Sequence, residues 1–297
     1  MQQNWIKKGI LLKPDKKNDW MSHHLGPTFA ISRKNRFIDI YFSARNKENL
    51  SSIGKFTFDT IQRTKTKCKK IFSFSKSNLP DQHGVSYPVI YYHNNRTYLF
   101  YVGWKKNLKY RFENNLILAL KRKKKFVRLK KIFNSRLSTF GSGSCFILKK
   151  NNTHYMWFTS FIKRKLKKKN NLNYEYLIKL AKSKDLINWR VEKRKCINFK
   201  SKKENAISKP TIIFKNNQYH MWYCYRGIKY KIGYAVSKDG SIWKRKDNKV
   251  KFIGIDYKWD NLEKCYPSVV NIKKKIYMIY SGNNFGKNGI GYSILKQ

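Results

Sequence analysis

The chain has 297 residues, 41% of them apolar and 16% aromatic, enough to fill one substantial core without demanding a second domain. Its formal charge is +51, from 67 basic and 16 acidic residues, and 53 of the bases are lysine against 14 arginine. No apolar run reaches membrane-spanning length, the N-terminal MQQNWIKKGILLKP lacks the long apolar stretch of a secretory leader, and the five cysteines show no CxxC spacing, so neither a zinc site nor a disulfide framework is indicated.

Short bursts of Tyr, Trp and β-branched residues, such as YLFYVGW and YHMWYCY, predict strands rather than helices. In chain order, an apolar run opens at Pro27 (GPTFAI), Pro88 (YPVIYY), Cys145 (GSGSCFIL, where the proline is lost), Pro210 (KPTIIF) and Pro267 (YPSVV). A second burst follows each, centred on Tyr41, Tyr101, Phe158, Tyr223 and Tyr280, at an offset of 14 residues in the first case and 13 in the others. Successive second bursts lie 60, 57, 65 and 57 residues apart. Third strands are predicted in SSIGKFTF, NLILALK, YLIKLAKSKD, KIGYAVSKDG and GIGYSIL. Fourth strands are predicted in KKIFSF, FVRLKKIF, WRVEKRKCINF and WKRKDNKVKFI. The fifth repeat ends after its third strand. Residues 4–13, where Trp5 matches Trp189 and Trp243, are predicted to supply the missing one.

The pattern therefore predicts an all-β fold: one five-bladed β-propeller over 1–297, four antiparallel strands per blade, closed by the N-terminal strand joining the last blade. A β-sandwich is the alternative, but it leaves the sixty-residue period unexplained. Strand-like alternation excludes a helical solenoid.

In a propeller the residues before strand one and after strand two of each blade meet at one rim. Those positions hold His23, His24 and Arg45; Asp81, His83 and Trp104; Ser142, Ser144 and Ser160; Glu204, Ser208 and Arg226; and Asp260, Glu263, Tyr266, Asn283 and Asn284. Four of only 16 acids fall there, as do three of six histidines. Carboxylates at a channel mouth can accept sugar hydroxyls or act as acid and base, and aromatic rings can stack on sugar faces. Asp39 and Asp59 are expected to be solvent-facing strand residues, and His154 and His220 to be core or edge groups. No nucleophile elbow and no phosphate-binding glycine loop is present.

The motifs IYFSAR (40–45), GVSYP (84–88), ENAISKP (204–210), MWYCYRGIKYKIGYAVSKDGSIW (221–243), WDNLEKCYPSV (259–269) and YSGNNFGKNGIGYSIL (280–295) carry a resemblance over essentially the whole chain. The layout is similar to the five-bladed propellers of glycoside hydrolase families 32, 43, 62, 68 and 130. It looks closest to a bacterial branch of that superfamily linked to surface polysaccharides. The resemblance implies action on glycosyl bonds without a cofactor or metal. Departures are marked: Gly26 stands before Pro27 where those families place an Asp, and GSGSC offers only serines where the third blade commonly supplies the general acid.

The candidate catalytic residues are accordingly Glu204, Glu263, Asp260 and Asp81. The candidate substrate-binding residues are His23, His24, Arg45, His83, Trp104, Arg226, Tyr266 and Asn283. The first functional expectation is a carbohydrate-active enzyme, a glycosidase or glycosyl-transferring protein with a glycan or nucleotide-sugar ligand. The second is a sugar-binding or scaffolding propeller without turnover. The third is a polyanion binder driven by the lysine excess. The lysine bias is taken as compositional, with weak non-specific polyanion affinity and no specific nucleic-acid partner, because selection for phosphate recognition favours arginine. A cytoplasmic location is expected.

Overall fold

The computed structural model describes every residue except 1, 108–110, 134–139, 168–170, 256–257 and 297. It is almost entirely β. Strand β1 (Gln3–Leu12) is followed by four groups of four. The first is β2 (His24–Arg33), β3 (Phe37–Arg45), β4 (Ser51–Asp59) and β5 (Lys69–Phe72). The second is β6 (Gly84–His93), β7 (Arg96–Asn107), β8 (Arg111–Arg122) and β9 (Lys125–Lys131). The third is β10 (Ser142–Lys150), β11 (Thr153–Lys167), β12 (Asn171–Ser183) and β13 (Arg190–Lys195). The fourth is β14 (Ala206–Lys215), β15 (Gln218–Arg226), β16 (Tyr230–Ser237) and β17 (Lys244–Arg245). The chain closes with β18 (Val250–Ile253), β19 (Cys265–Ile272), β20 (Lys275–Ser281), the short turn α1 (Asn283–Gly286) and β21 (Ile290–Leu295).

Within each group sequence neighbours pair antiparallel, and the groups touch through little backbone pairing. One bridge, Ser51↔Gly84, links the first two, and one, Tyr176↔Ala206, links the third and fourth. The last sheet has the order β18-β1-β21-β20-β19. There β1 runs antiparallel to β21, from Trp5↔Leu295 to Leu12↔Ile290.

One strand departs from the sequence expectation. The run WKRKDNKVKFI is not a single fourth strand: Lys244–Arg245 pair with β16, whereas Val250–Ile253 leave that group and pair parallel with β1. A single 3-10 turn, Asp247–Lys249, separates them. The Asp247 carboxylate accepts from the Tyr223 hydroxyl, the Tyr234 N–H and the Arg245 guanidinium, and this anchors the turn.

The first strands β2, β6, β10, β14 and β19 pack in cyclic order, with β19 returning to β2. Side chains stitch each joint. Ser43 Oγ takes the Tyr87 N–H, Ser142 Oγ the Leu116 N–H, Ser144 Oγ the Lys209 N–H, Cys224 Sγ the Tyr266 N–H and Ser268 Oγ the Ala30 N–H. The second strands are covered on both faces. Leu99, Phe100, Tyr101 and Val102 are all buried, as are Met156, Trp157 and Phe158, which explains the unbroken aromatic bursts. Each such ring contributes roughly 1.5–3 kcal/mol by leaving water.

Asp39 and Asp59 are not solvent-facing. Both are buried, Asp39 against Arg33, Lys55 and Thr57 and Asp59 against Arg36, because long cationic stems reach inward to neutralise them. All five cysteines are free thiols, four of them buried. No helix among the described residues is long and apolar enough to cross a membrane.

Candidate functional site

The five first strands share a local irregularity. Each has a register shift near its start: Leu25/Thr28, Ser86/Val89, Ser142/Cys145, Ser208/Thr211 and Cys265/Ser268. The residue before proline sits at positive φ in four of them: Gly26 (100°), Tyr87 (53°), Lys209 (54°) and Tyr266 (57°). Proline bars its predecessor from the right-handed helical region, and a bulge re-aims side chains at a strand end. Non-glycine residues held at positive φ cost free energy and gather at functional sites.

These bulges open onto a cavity of about 1300 Å³ to which all five groups contribute. Its aromatic wall includes Tyr87, Trp104, Tyr176, Tyr230, Tyr266 and Phe285. Ser86, Ser144, Thr159 and Ser208 add small hydroxyls, and the cations are Arg45, Lys106 and Arg226. No Asp or Glu is among the described lining residues.

The rings form a chain of contacts. Tyr87 meets Tyr266 edge-on at 5.6 Å, and Tyr266 lies 6.0 Å from Tyr230. The hydroxyls of Tyr176 and Tyr230 hydrogen-bond each other. Burial is the main cause that pushes the Tyr87, Tyr176, Tyr230 and Tyr266 phenols up from their ordinary pKa, so all four are hydroxyl donors at neutral pH.

Of the expected substrate-binding residues, Arg45, Trp104, Arg226 and Tyr266 converge on this cavity. His23 instead lines a separate cavity of about 880 Å³ with five lysines, and its ring stacks on His24 at 4.5 Å. Burial is the main cause that lowers the His24 pKa to about 4, helped by His23, Arg45 and Lys287. His83 leans on Trp104 and takes the Lys106 N–H on Nδ1. Asn283 braces the preceding loop, accepting from the Leu262 and Glu263 N–H groups and donating to the Lys258 carbonyl.

None of the four candidate catalytic carboxylates reaches the cavity wall. Asp81 accepts from the Tyr101 hydroxyl at 2.9 Å and from Arg128 at 2.7 Å. Asp260 accepts from the Tyr280 hydroxyl at 2.8 Å and pairs with Lys7 at 3.2 Å. Glu204 is clasped by both terminal nitrogens of Arg245 at 2.7 and 3.0 Å. Glu263 accepts the N–H groups of Tyr230 and Phe285 at 3.1 Å each.

Asp81, Asp247 and Asp260 follow one rule. Each takes the hydroxyl of the central second-strand tyrosine (Tyr101, Tyr223, Tyr280) and pairs with a cation from the outermost main strand of its group (Arg128, Arg245, Lys7). Where that tyrosine is Phe158, the ring of Phe133 packs on it at 4.3 Å instead of an acid. His154 and His220 are partnered by the hydroxyls of Tyr91 and Tyr234. Among the described residues no three His, Cys, Asp or Glu side chains cluster closely enough to hold a metal ion.

No family model matches the sequence. Two uncharacterised proteins of Mycobacterium tuberculosis, from strains CDC 1551 / Oshkosh and ATCC 25618 / H37Rv, are each 25% identical over 98% of this chain and 99% of their own. Among solved structures, a glycoside hydrolase superposes with a TM-score of 0.77 at 13% identity, over 99% of this chain and 91% of its own. A glycosyl hydrolase from Bacteroides ovatus gives 0.70 at 16% identity, over 98% and 90%. An α-L-arabinofuranosidase from Lactobacillus brevis gives 0.65 at 8% identity, over 90% and 89%. The chain shares its fold with these glycoside hydrolase structures. On this scaffold the residues that sequence reasoning missed are Tyr87, Tyr176 and Tyr230. Tyr87 was marked only as the residue before Pro88, Tyr176 lies inside its third strand and Tyr230 begins its own, and neither of the last two carries a separate signal.

Proposed function

We propose that the protein is a five-bladed propeller whose central cavity binds a carbohydrate. The cyclic packing of the five first strands supports the blade count, with β1 as the outer strand that completes the last blade. The lining carries the functional reading. Aromatic faces for sugar rings and a ring of hydroxyl donors share one concave wall, as small-molecule sites require. The four carboxylates expected to do acid–base work are all engaged in ion pairs or by backbone N–H groups outside that wall. Recognition without glycosyl cleavage is therefore the primary function.

The test is calorimetric titration with an oligosaccharide panel, alongside an assay for released reducing ends. Saturable binding without cleavage is expected, weakened about tenfold by Trp104→Ala. Sustained turnover of any glycan in the panel would overturn it.

Cleavage of a glycosyl bond is the second reading. It is favoured by the shared scaffold and by Glu263, whose charge acts on Arg226 at the cavity wall. In that case Glu263→Gln abolishes turnover while leaving binding in place.

A further inference from the structure

We infer that the carbohydrate bound in the central cavity carries an acidic group, a carboxylate or a phosphate, received by Arg226 with Arg45. This deepens the carbohydrate reading and rests on it.

The arginines are the informative cations here, because the chain uses 53 lysines and only 14 arginines. Among the described residues, Arg33, Arg36, Arg128, Arg190 and Arg245 each meet a carboxylate, while Arg63, Arg96, Arg122 and Arg194 are exposed to solvent. Arg45 and Arg226, the two that line the cavity, form no ion pair with any described carboxylate. Arg226 is only partly exposed. It donates from Nε to Asn205 Oδ1 at 3.2 Å and lies 5.0 Å over the Tyr230 ring. Arg45 sits 5.8 Å over the Trp104 ring. Both guanidinium groups are thus held by aromatic faces and left with donors to spare.

A partly buried guanidinium without a counter-ion is costly, and a planar fork matches a bidentate oxyanion. The carboxylate whose charge acts on Arg226 is Glu263, but both its oxygens are engaged by the backbone of Tyr230 and Phe285. The rest of the wall adds a third cation, Lys106, beside hydroxyl and amide groups that both donate and accept, and no carboxylate among the described lining residues. A neutral sugar is met by those hydroxyls and amides and leaves the three cations without an oxyanion. A saccharide carrying an oxyanion supplies one. The wall is a concavity of about 1300 Å³ built from all five groups, which suits one or two sugar rings rather than an extended polymer groove.

The experiment is isothermal calorimetry on wild type, Arg226→Gln and Arg226→Lys at 0.15 and 0.5 M salt. The probes are digalacturonate, its methyl ester, glucose 6-phosphate, glucose and a single-stranded oligonucleotide. The ester keeps the carbon skeleton of the acid and removes its charge. Thermal midpoints of the variants confirm that each is folded.

The expected result is preference for digalacturonate over its ester, or for glucose 6-phosphate over glucose, by at least about tenfold. Arg226→Gln removes that preference, so that the acidic and neutral members of each pair bind alike, and Arg226→Lys restores part of it. Which arm responds separates carboxylate from phosphate. Equal affinity of wild type for the acidic and neutral members of both pairs overturns the acidic-group inference and leaves carbohydrate binding standing. Binding of no saccharide at millimolar concentration overturns both. Oligonucleotide binding tighter than either acidic probe, and abolished at 0.5 M salt, assigns the charge to the lysine surface and overturns the inference.

Discussion

Replacing Asp260 by asparagine separates a structural carboxylate from a catalytic one. The Asp260 side chain is fully buried, and the Lys7 ammonium 3.2 Å away is only 1% exposed. Asparagine keeps the shape and can still accept from the Tyr280 hydroxyl, but it removes the buried negative charge that faces the Lys7 ammonium. Breaking one partner of such a pair costs about 3–5 kcal/mol. At about 2–4 °C per kcal/mol for a chain of this class, the thermal midpoint falls by roughly 6–20 °C. Urea denaturation followed by tryptophan fluorescence measures the loss directly. Adding Lys7→Met to Asp260→Asn removes the buried ammonium as well and recovers part of the loss, so the pair behaves as a coupled unit in a double-mutant cycle. At a temperature where Asp260→Asn is folded, its carbohydrate affinity matches wild type. A loss below about 1 kcal/mol, combined with abolished binding or turnover, would refute the reasoning and return Asp260 to the site.

Three further outcomes are expected. Trp5 is fully buried and meets Trp222 edge-on at 5.8 Å, so Trp5→Ala lowers unfolding free energy by about 3–5 kcal/mol in urea titrations. Lys209 is buried, and burial is the main cause that brings its pKa from 10.5 to about 8. The unfolded chain therefore holds one more proton than the folded one between those values, so Lys209 adds stability as pH rises, a gain on the order of 3 kcal/mol. Buried thiols such as Cys145 and Cys224, whose pKa is raised by burial, oppose that gain above about pH 9, so it is read as the difference between wild type and Lys209→Met. His24 and His154 are both lowered to about 4, chiefly by burial, so stability declines as pH falls from 6.5 towards 4. Replacing both with glutamine flattens that limb, which thermal melts across the pH range will show.

Much of the scaffold could be read from the sequence because packing repeats. A proline, then an aromatic burst thirteen residues on, records the same bulge and the same buried second strand in group after group. Position along the repeat placed the rim, and it placed Arg45, Trp104, Arg226 and Tyr266 on the cavity. The role of the acids was not legible, because partner choice depends on strands far apart in the chain. Asp81 finds Arg128 from β9 and Asp260 finds Lys7 from β1. A partial clue was nonetheless present: the central aromatic is a tyrosine in the three groups where an acid follows this rule and a phenylalanine in the third group, although Tyr41 of the first group has no such acid among the described residues. Lys209 and Tyr87 were hidden differently, since a residue before proline gave no sign that a bulge would turn it inward.

The pairing of β1 with β21 also governs the order in which this chain can mature. Strand β1 is synthesised well before its antiparallel partner, Ile290–Leu295. Until that partner is made, the edge of β1 that faces it stays open, although Trp222 and β18, which meet β1 elsewhere, are made somewhat earlier. Contacts that span nearly the whole chain form slowly, and unpaired strand edges invite association in the meantime. Interrupted synthesis before β21 would thus leave open both the edge of β1 and that of β20. Final locking of the last sheet is a late event.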